Sequence, residues 1–310
     1  MNKQFPLNLA LLACILALLA GCSRYELFDK AIAWERDSAG LTPHEITVGD
    51  LRIAYLSNTE ARDGQVLVMI HGFAANKDNW VRMAGELTEH YQVYAIDLPG
   101  HGDSSKELDR DYRLQNQVEY LNRILSALEL DQVNLIGNSM GGAITVLYSA
   151  RYPDQVKNAV LFNPAGVFHY ESELVSLVRD GSNPLIVSQP GDMERLVDFA
   201  LEEKPFAPWP IYEVMEERAI ANRAVNEKIF QALRDSGSEA SFLDALATIS
   251  APVLIIWGDQ DRVINFRNAE FFEQQIPVSE ALVLEGIGHA PMIEVPERSA
   301  TLVQSFIGDN

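Results

Sequence analysis

Gly137-Asn138-Ser139-Met140-Gly141 constrains the architecture more than any other stretch of this chain. A serine between two glycines, after an apolar run and before a helical one, has the form of a nucleophile elbow, a sharp strand-to-helix turn that projects a hydroxyl into a cleft. Such a turn is crowded, and only hydrogen fits at the neighbouring Cα positions. Gly137 and Gly141 meet that demand. The flanks agree, since Val133-Asn134-Leu135-Ile136 reads as a buried strand and Ala143-Ile144-Thr145-Val146-Leu147-Tyr148 continues an apolar helix. The expectation is a serine nucleophile at Ser139.

Its partners follow in chain order. Asp261 comes just after the strand-like run Val253-Leu254-Ile255-Ile256-Trp257-Gly258, and His289 just after Ala281-Leu282-Val283-Leu284-Glu285. Upstream, the apolar run Val66-Leu67-Val68-Met69-Ile70 ends in His71-Gly72-Phe73, a glycine turn placed to donate a backbone N–H. The segments HGF (71–73), DLPGHGDS (97–104), GNSMGG (137–142), GDQD (258–261) and GHAP (288–291) together resemble those of the α/β-hydrolase superfamily. The similarity spans roughly residues 45–308. Within the superfamily the chain resembles bacterial membrane-anchored lipases and esterases, including the monoacylglycerol-lipase-like and phospholipase A-like branches.

The resemblance implies an α/β fold: a mostly parallel, eight-stranded sheet with helices on both faces and an inserted helical lid. It also implies a carboxylic ester hydrolase acting on acylglycerol or other lipid esters. In that chemistry Ser139 Oγ attacks the carbonyl, His289 takes the proton, and Asp261 holds the imidazole in the right tautomer. The backbone N–H groups of Phe73 and Met140 meet the oxyanion. No metal and no organic cofactor is required. HExxH, CxxC and P-loop patterns are missing from the sequence.

Competing assignments exist at each position. Asp259 stands two residues before Asp261 in the same loop, and the superfamily pattern selects the second aspartate. Of the other histidines, His44 and His90 read as surface positions and His169 opens the insert, while His71 and His101 flank glycines in cleft-forming turns and read as structural. Asp97, Asp103 and Glu294 read as loop and helix-cap residues. Serine at position 139 excludes the aspartate-nucleophile relatives. Alternative activities are a phospholipase A or lysophospholipase, and a meta-cleavage-type carbon–carbon bond hydrolase, whose elbow resembles GNSMGG. A non-catalytic binding protein on this fold is disfavoured by the intact set of three residues.

At 310 residues, 47% of them hydrophobic, the chain suffices for one large α/β domain with an insertion. With 24 Lys and Arg against 44 Asp and Glu, its formal charge of -20 repels polyanions and disfavours nucleic acid as a partner. Attachment to an anionic membrane therefore needs a hydrophobic or covalent anchor. Lys3 followed by the apolar run Leu7 to Ala20, broken only by Asn8, has the pattern of an export signal over residues 1–21. Leu19-Ala20-Gly21-Cys22 resembles the bacterial lipobox, which implies lipid attachment at Cys22 and, with Ser23 rather than Asp next, sorting to the outer membrane. The rival reading keeps Phe5 to Gly21 as an uncleaved inner-membrane span with a periplasmic catalytic domain, at the short end of the about 17 to 25 residues required. Of the two cysteines, Cys14 lies in the segment to be removed and Cys22 would be acylated, so the mature chain is expected to have no free thiol and no disulfide.

Residues 22–40 carry Tyr25, Leu27, Phe28, Ala31, Ile32 and Trp34 among charges at helical spacing. That pattern fits a juxtamembrane helix at the lipid surface and equally a terminal helix packed on the body. Beyond it, the pattern predicts an opening hairpin (Glu45 to Val48, Arg52 to Leu56) and strands near 66–70, 92–96, 133–137, 157–162, 252–257 and 281–285. Helical patterns fall near 77–90, 114–129, 140–152, 267–276 and 293–306. The hydrolase core is then 41–167 plus 246–310. Between Phe162 and Val253 the chain is too long for a structureless connection, so residues 168–245 are expected to form a helical lid. That segment holds 7 basic and 15 acidic residues. Its aromatic stretch Phe206-Ala207-Pro208-Trp209-Pro210-Ile211-Tyr212 makes Trp209 and Tyr212, together with Phe73, candidate acyl contacts.

Overall fold

Val66–Ile70, Val133–Asn138, Val156–Phe162 and Val253–Gly258 are apolar at most positions irrespective of parity, and such strands are stable only in a sheet covered on both faces. The computed structural model, which describes residues 23–58 and 64–309, places them side by side at its centre. The strands are β1 (Thr42–Val48), β2 (Leu51–Ser57), β3 (Val66–Ile70), β4 (Gln92–Ile96), β5 (Val133–Asn138), β6 (Val156–Phe162), β7 (Val253–Gly258) and β8 (Ser279–Leu284). They form one sheet in the order β1-β2-β4-β3-β5-β6-β7-β8. β2 pairs antiparallel with β1 and with β4, and every other pairing is parallel.

Alternation along the strands divides the interior in two. Val68, Ile70, Leu135, Val253, Ile255 and Trp257 point into one core, while Leu67, Met69, Ile136, Leu254 and Ile256 point into the other. Helices cover both. The helix Leu114–Ala127 presents Val118, Leu121, Ile124 and Leu125 to the first core, a one-sided stripe at helical spacing. The helix Met140–Arg151 is buried along nearly its whole length.

Two expected helices are divided in the structure, each for a local reason. Over 77–90 the chain forms a 3-10 turn, Lys77–Trp80, and then the short helix Val81–Gly85. Lys77 is drawn inward, its backbone N–H and its ammonium both donating to Asp97, which tightens the first turn. Near 293–306 the helices are Pro291–Glu294 and Pro296–Asp309. Val295 before Pro296 is pushed out of the helical region (φ -136°).

Between β6 and β7 lie five helices: Glu173–Arg179, Asp192–Ala200, Ile211–Ala221, Arg223–Arg234 and Glu239–Thr248. The N-terminal helix Arg24–Ser38 opens on a capping box of Ser23 and Glu26. It packs on the body of the protein, ion-pairing through Arg36 to Asp78 (2.6 Å) and Glu35 to Arg82 (2.7 Å) on the core side. On the side of the insert, Asp29 pairs with Arg218 (2.9 Å) and Arg24 with Glu217 (2.7 Å). The export signal expected over 1–21 and the acylation site expected at Cys22 lie outside the described residues. Among the described residues no helix is long and apolar enough to cross a membrane.

Candidate active site

The parallel register brings the carboxyl ends of β3, β5, β6, β7 and β8 to one edge, with Ile70 opposite Gly137, Asn138 opposite Phe162 and Gly258 opposite Leu284. In open α/β sheets this edge is where ligands bind. Ser139 follows β5 directly. It has φ 53° and ψ -115°, a conformation that costs a non-glycine residue on the order of 1–3 kcal/mol. Its backbone is held from both sides: the N–H donates to Phe162 O (3.0 Å), and the carbonyl accepts from Ala143 (3.1 Å) and Ala165 (2.9 Å). A Cβ at Gly137 would overlap the Gly141 carbonyl and Thr145 Oγ1, and one at Gly141 would overlap the Ile70 carbonyl. Both glycines are therefore dictated by close approach of backbone.

The HGF turn lies against this elbow. A Cβ built on Gly72 falls 3.3 Å from Ser139 Cβ. Among the described residues the N–H groups of Phe73 and Met140 have no acceptor. His71 is fully buried, donating from Nδ1 to the Gly72 carbonyl (2.7 Å) and accepting the Leu98 N–H at Nε2 (3.1 Å). Burial pushes its pKa down and it is neutral in this role. Behind it, Lys77 is buried between Asp97 and Asp103, each 2.7 Å from Nζ. Burial opposes the charge of Lys77, but Asp97, Asp78 and Asp103 outweigh it and raise the pKa. Asp97 also accepts the Asp103 N–H (2.7 Å). Read from sequence as loop residues, the buried Asp97 and the exposed Asp103 thus tie the DLPGHGDS loop to the buried ammonium of Lys77, at the start of the 3-10 turn.

Asp261 and His289 meet at the same edge. His289 Nδ1 donates to Asp261 Oδ2 at 2.9 Å, which leaves Nε2 for another partner. The carboxylate is saturated: Oδ2 also accepts from Asn163 Nδ2 (2.7 Å) and Trp257 Nε1 (3.0 Å), and Oδ1 accepts the N–H groups of Val263 (2.8 Å) and Ile264 (3.0 Å). Asp259 is turned elsewhere, accepting the Gly286 N–H (2.8 Å). The elbow reaches His289 through its neighbour, since Asn138 Nδ2 donates to the His289 carbonyl (3.1 Å). Among the described residues Ser139 Oγ carries no hydrogen bond.

Sequence reasoning missed Asn163 and Asn138. Asn163 has φ 45° and bonds both Asp261 and the Gly288 carbonyl (3.2 Å). The available signal was a polar residue placed immediately after a buried strand. The candidate acyl contacts are spread apart in environment. Phe73 is partly buried and its ring lies 5.5 Å from that of Phe230, on the insert helix Arg223–Arg234. Trp209 is 66% exposed and Tyr212 half-buried. Phe230, which sequence did not single out, is an insert side chain whose ring packs at a tilt of 55° against Phe73 of the HGF loop.

The chain matches the family model of the α/β-hydrolase fold over residues 65–296. It is 33% identical over 286 residues to Lipase 3 of Moraxella sp. (strain TA144), covering 90% of this chain and 88% of that one. Monoacylglycerol lipase abhd6-B of Xenopus laevis is 28% identical over 320 residues, 97% of this chain and 95% of the relative. Among solved structures, a membrane phospholipase A described as a bacterial virulence factor superposes with a TM-score of 0.90 and 39% identity over 99% of both chains. The chain belongs to the α/β-hydrolase fold family, and it is a hydrolase of the lipase and esterase type.

Proposed function

We propose that the protein hydrolyses carboxylic esters of lipids, acylglycerols or phospholipid-derived esters, with Ser139 as nucleophile. The observation that carries this reading is the Asp261–His289 hydrogen bond at the strand edge where Asn138 ties His289 to the strained elbow. Ser139 Oγ attacks the ester carbonyl carbon as its proton passes to His289 Nε2, and Asp261 stabilises the imidazolium. The N–H groups of Phe73 and Met140 receive the oxyanion, each worth roughly 100 to 1,000-fold in rate. Collapse breaks the ester C–O bond, and the imidazolium protonates the leaving alcohol. Water then attacks the acyl-enzyme, again giving its proton to His289, and the acid leaves with Ser139 regenerated.

The names of the relatives support the lipid-ester class: a lipase, a monoacylglycerol lipase and a membrane phospholipase A. Residues 168–245 act as the lid, with Phe230 over Phe73 and with Trp209 and Tyr212 available to acyl chains. Ser139→Ala should lower kcat/KM for p-nitrophenyl esters and monoacylglycerol about 10⁴- to 10⁶-fold. Near-normal turnover in that variant would overturn the mechanism, and cleavage of a meta-cleavage dienoate with negligible ester turnover would move the protein to carbon–carbon hydrolysis.

The membrane association suggested by the likeness to a membrane phospholipase A is achieved, in this reading, by lipidation of Cys22 and export to the outer membrane. Cys22→Ala should then leave the membrane fraction on cell fractionation. Retention of that variant, with no lipid on the wild type, would replace the lipoprotein by an uncleaved inner-membrane span.

A further inference from the structure

His289 sits in a loop whose fastening is unusual. The N–H of Gly288 before it donates to Glu294 Oε2 (3.0 Å), and that of Ala290 after it to Glu294 Oε1 (3.1 Å). Oε2 of the same carboxylate also accepts the N–H groups of Glu202 (2.8 Å) and Glu203 (3.0 Å), at the exit of the insert helix Asp192–Ala200. His289 closes the link from its own backbone, its N–H donating to the Ala200 carbonyl (2.8 Å). A single side chain therefore brackets the histidine on both sides and pins it to the insert. Read from sequence as a helix cap, Glu294 does accept the N–H of Ala290, the residue that caps its own helix, but two of its four acceptor contacts reach about 90 residues away.

We infer that Glu294 is a positioning residue for His289, joining the general base to the segment that leaves the insert helix Asp192–Ala200 so that the two move as one unit. The inference rests on the catalytic reading of His289 above. Four N–H donors on one carboxylate demand its acceptor-only form, because a protonated or amide group presents a donor to one of them. Burial pushes the Glu294 pKa up, while the Gly288, Glu203 and Ala290 N–H groups and the charge of His289 oppose that rise. The cost of losing the clamp falls on alignment: a displacement of about 1 Å in a catalytic group is worth about 100-fold in rate.

The experiment compares wild type, Glu294→Gln and Glu294→Asp in the full-length protein by steady-state kinetics on p-nitrophenyl butyrate, thermal unfolding and amide hydrogen exchange. Gln keeps the volume and loses acceptors, whereas Asp keeps the charge and loses reach. Both variants should lower kcat about 10- to 100-fold with KM within about twofold, the signature of a misplaced base rather than of lost binding. Exchange should accelerate together in 200–204 and 286–291 while β7 stays protected. A folded variant with kcat within about twofold of wild type overturns the inference, whatever its exchange, and so does acceleration in only one of the two segments. Exchange is read without turnover, so a wild type lacking Ser139-dependent hydrolysis would sink the catalytic reading separately.

Discussion

The strand-end loops and the helical insert are held together by opposite means. At the strand edge the buried Asp261 accepts five hydrogen bonds, and in the neighbouring loops the buried Lys77 is paired with the buried Asp97 and with Asp103. The insert meets the N-terminal helix through exposed pairs, such as Arg218 with Asp29 and Arg24 with Glu217, and through the Arg218 guanidinium 4.4 Å above the Phe28 ring. Buried networks are costly to disturb because a remaining partner is left unpaired in a medium of low dielectric. Exposed pairs are screened and contribute little. The contrast is between saturated, buried hydrogen bonding at the strand edge and exposed, ionic contact between the insert and the N-terminal helix.

Breaking the first region should have the largest effect. Asp261→Asn retains the shape of the site but presents an amide to His289 Nδ1, and kcat should fall about 10⁴-fold with little change in secondary structure by circular dichroism. A loss below tenfold would mean that Asp261 is not the orienting carboxylate. Next comes Lys77→Met, which leaves Asp97 charged, fully buried and without its ammonium. Urea unfolding should show a loss of about 3–5 kcal/mol. A loss under about 1 kcal/mol would place this tie in the same class as the surface pairs. The smallest effect belongs to Arg218→Ala, since its side chain is 50% exposed and its partner Asp29 63%. Its cost should stay below about 1 kcal/mol and shrink further at 1 M salt. A salt-independent loss above about 2 kcal/mol would erase the contrast between insert and strand edge.

Much of this was legible in one dimension because it depends on local patterns. The eight strands follow from apolar runs between turn residues, and the elbow from two glycines that backbone crowding requires at Gly137 and Gly141. The chain order of Ser139, Asp261 and His289, each just beyond a strand, named the three residues that the register then gathers at one edge. Boundaries failed where a long-range contact intervened: Asp97 draws Lys77 inward, and the start of the helix expected over 77–90 is a 3-10 turn instead.

What lay beyond the sequence was every role that depends on a distant partner. Asn163 could be seen to follow a strand, but its hold on Asp261 needs β6 and β7 adjacent. Phe230 looked like one apolar residue of an amphipathic helix until the fold set it against Phe73. Glu294 looked like a cap until the chain returned Glu202 and Glu203 to its carboxylate. Periodicity and turn chemistry act over a few residues and are written in neighbouring letters, so the sequence specified the sheet and pointed to Ser139, Asp261 and His289 at its edge. Saturating a buried carboxylate takes donors from separate segments, and only the folded chain decides which ones arrive.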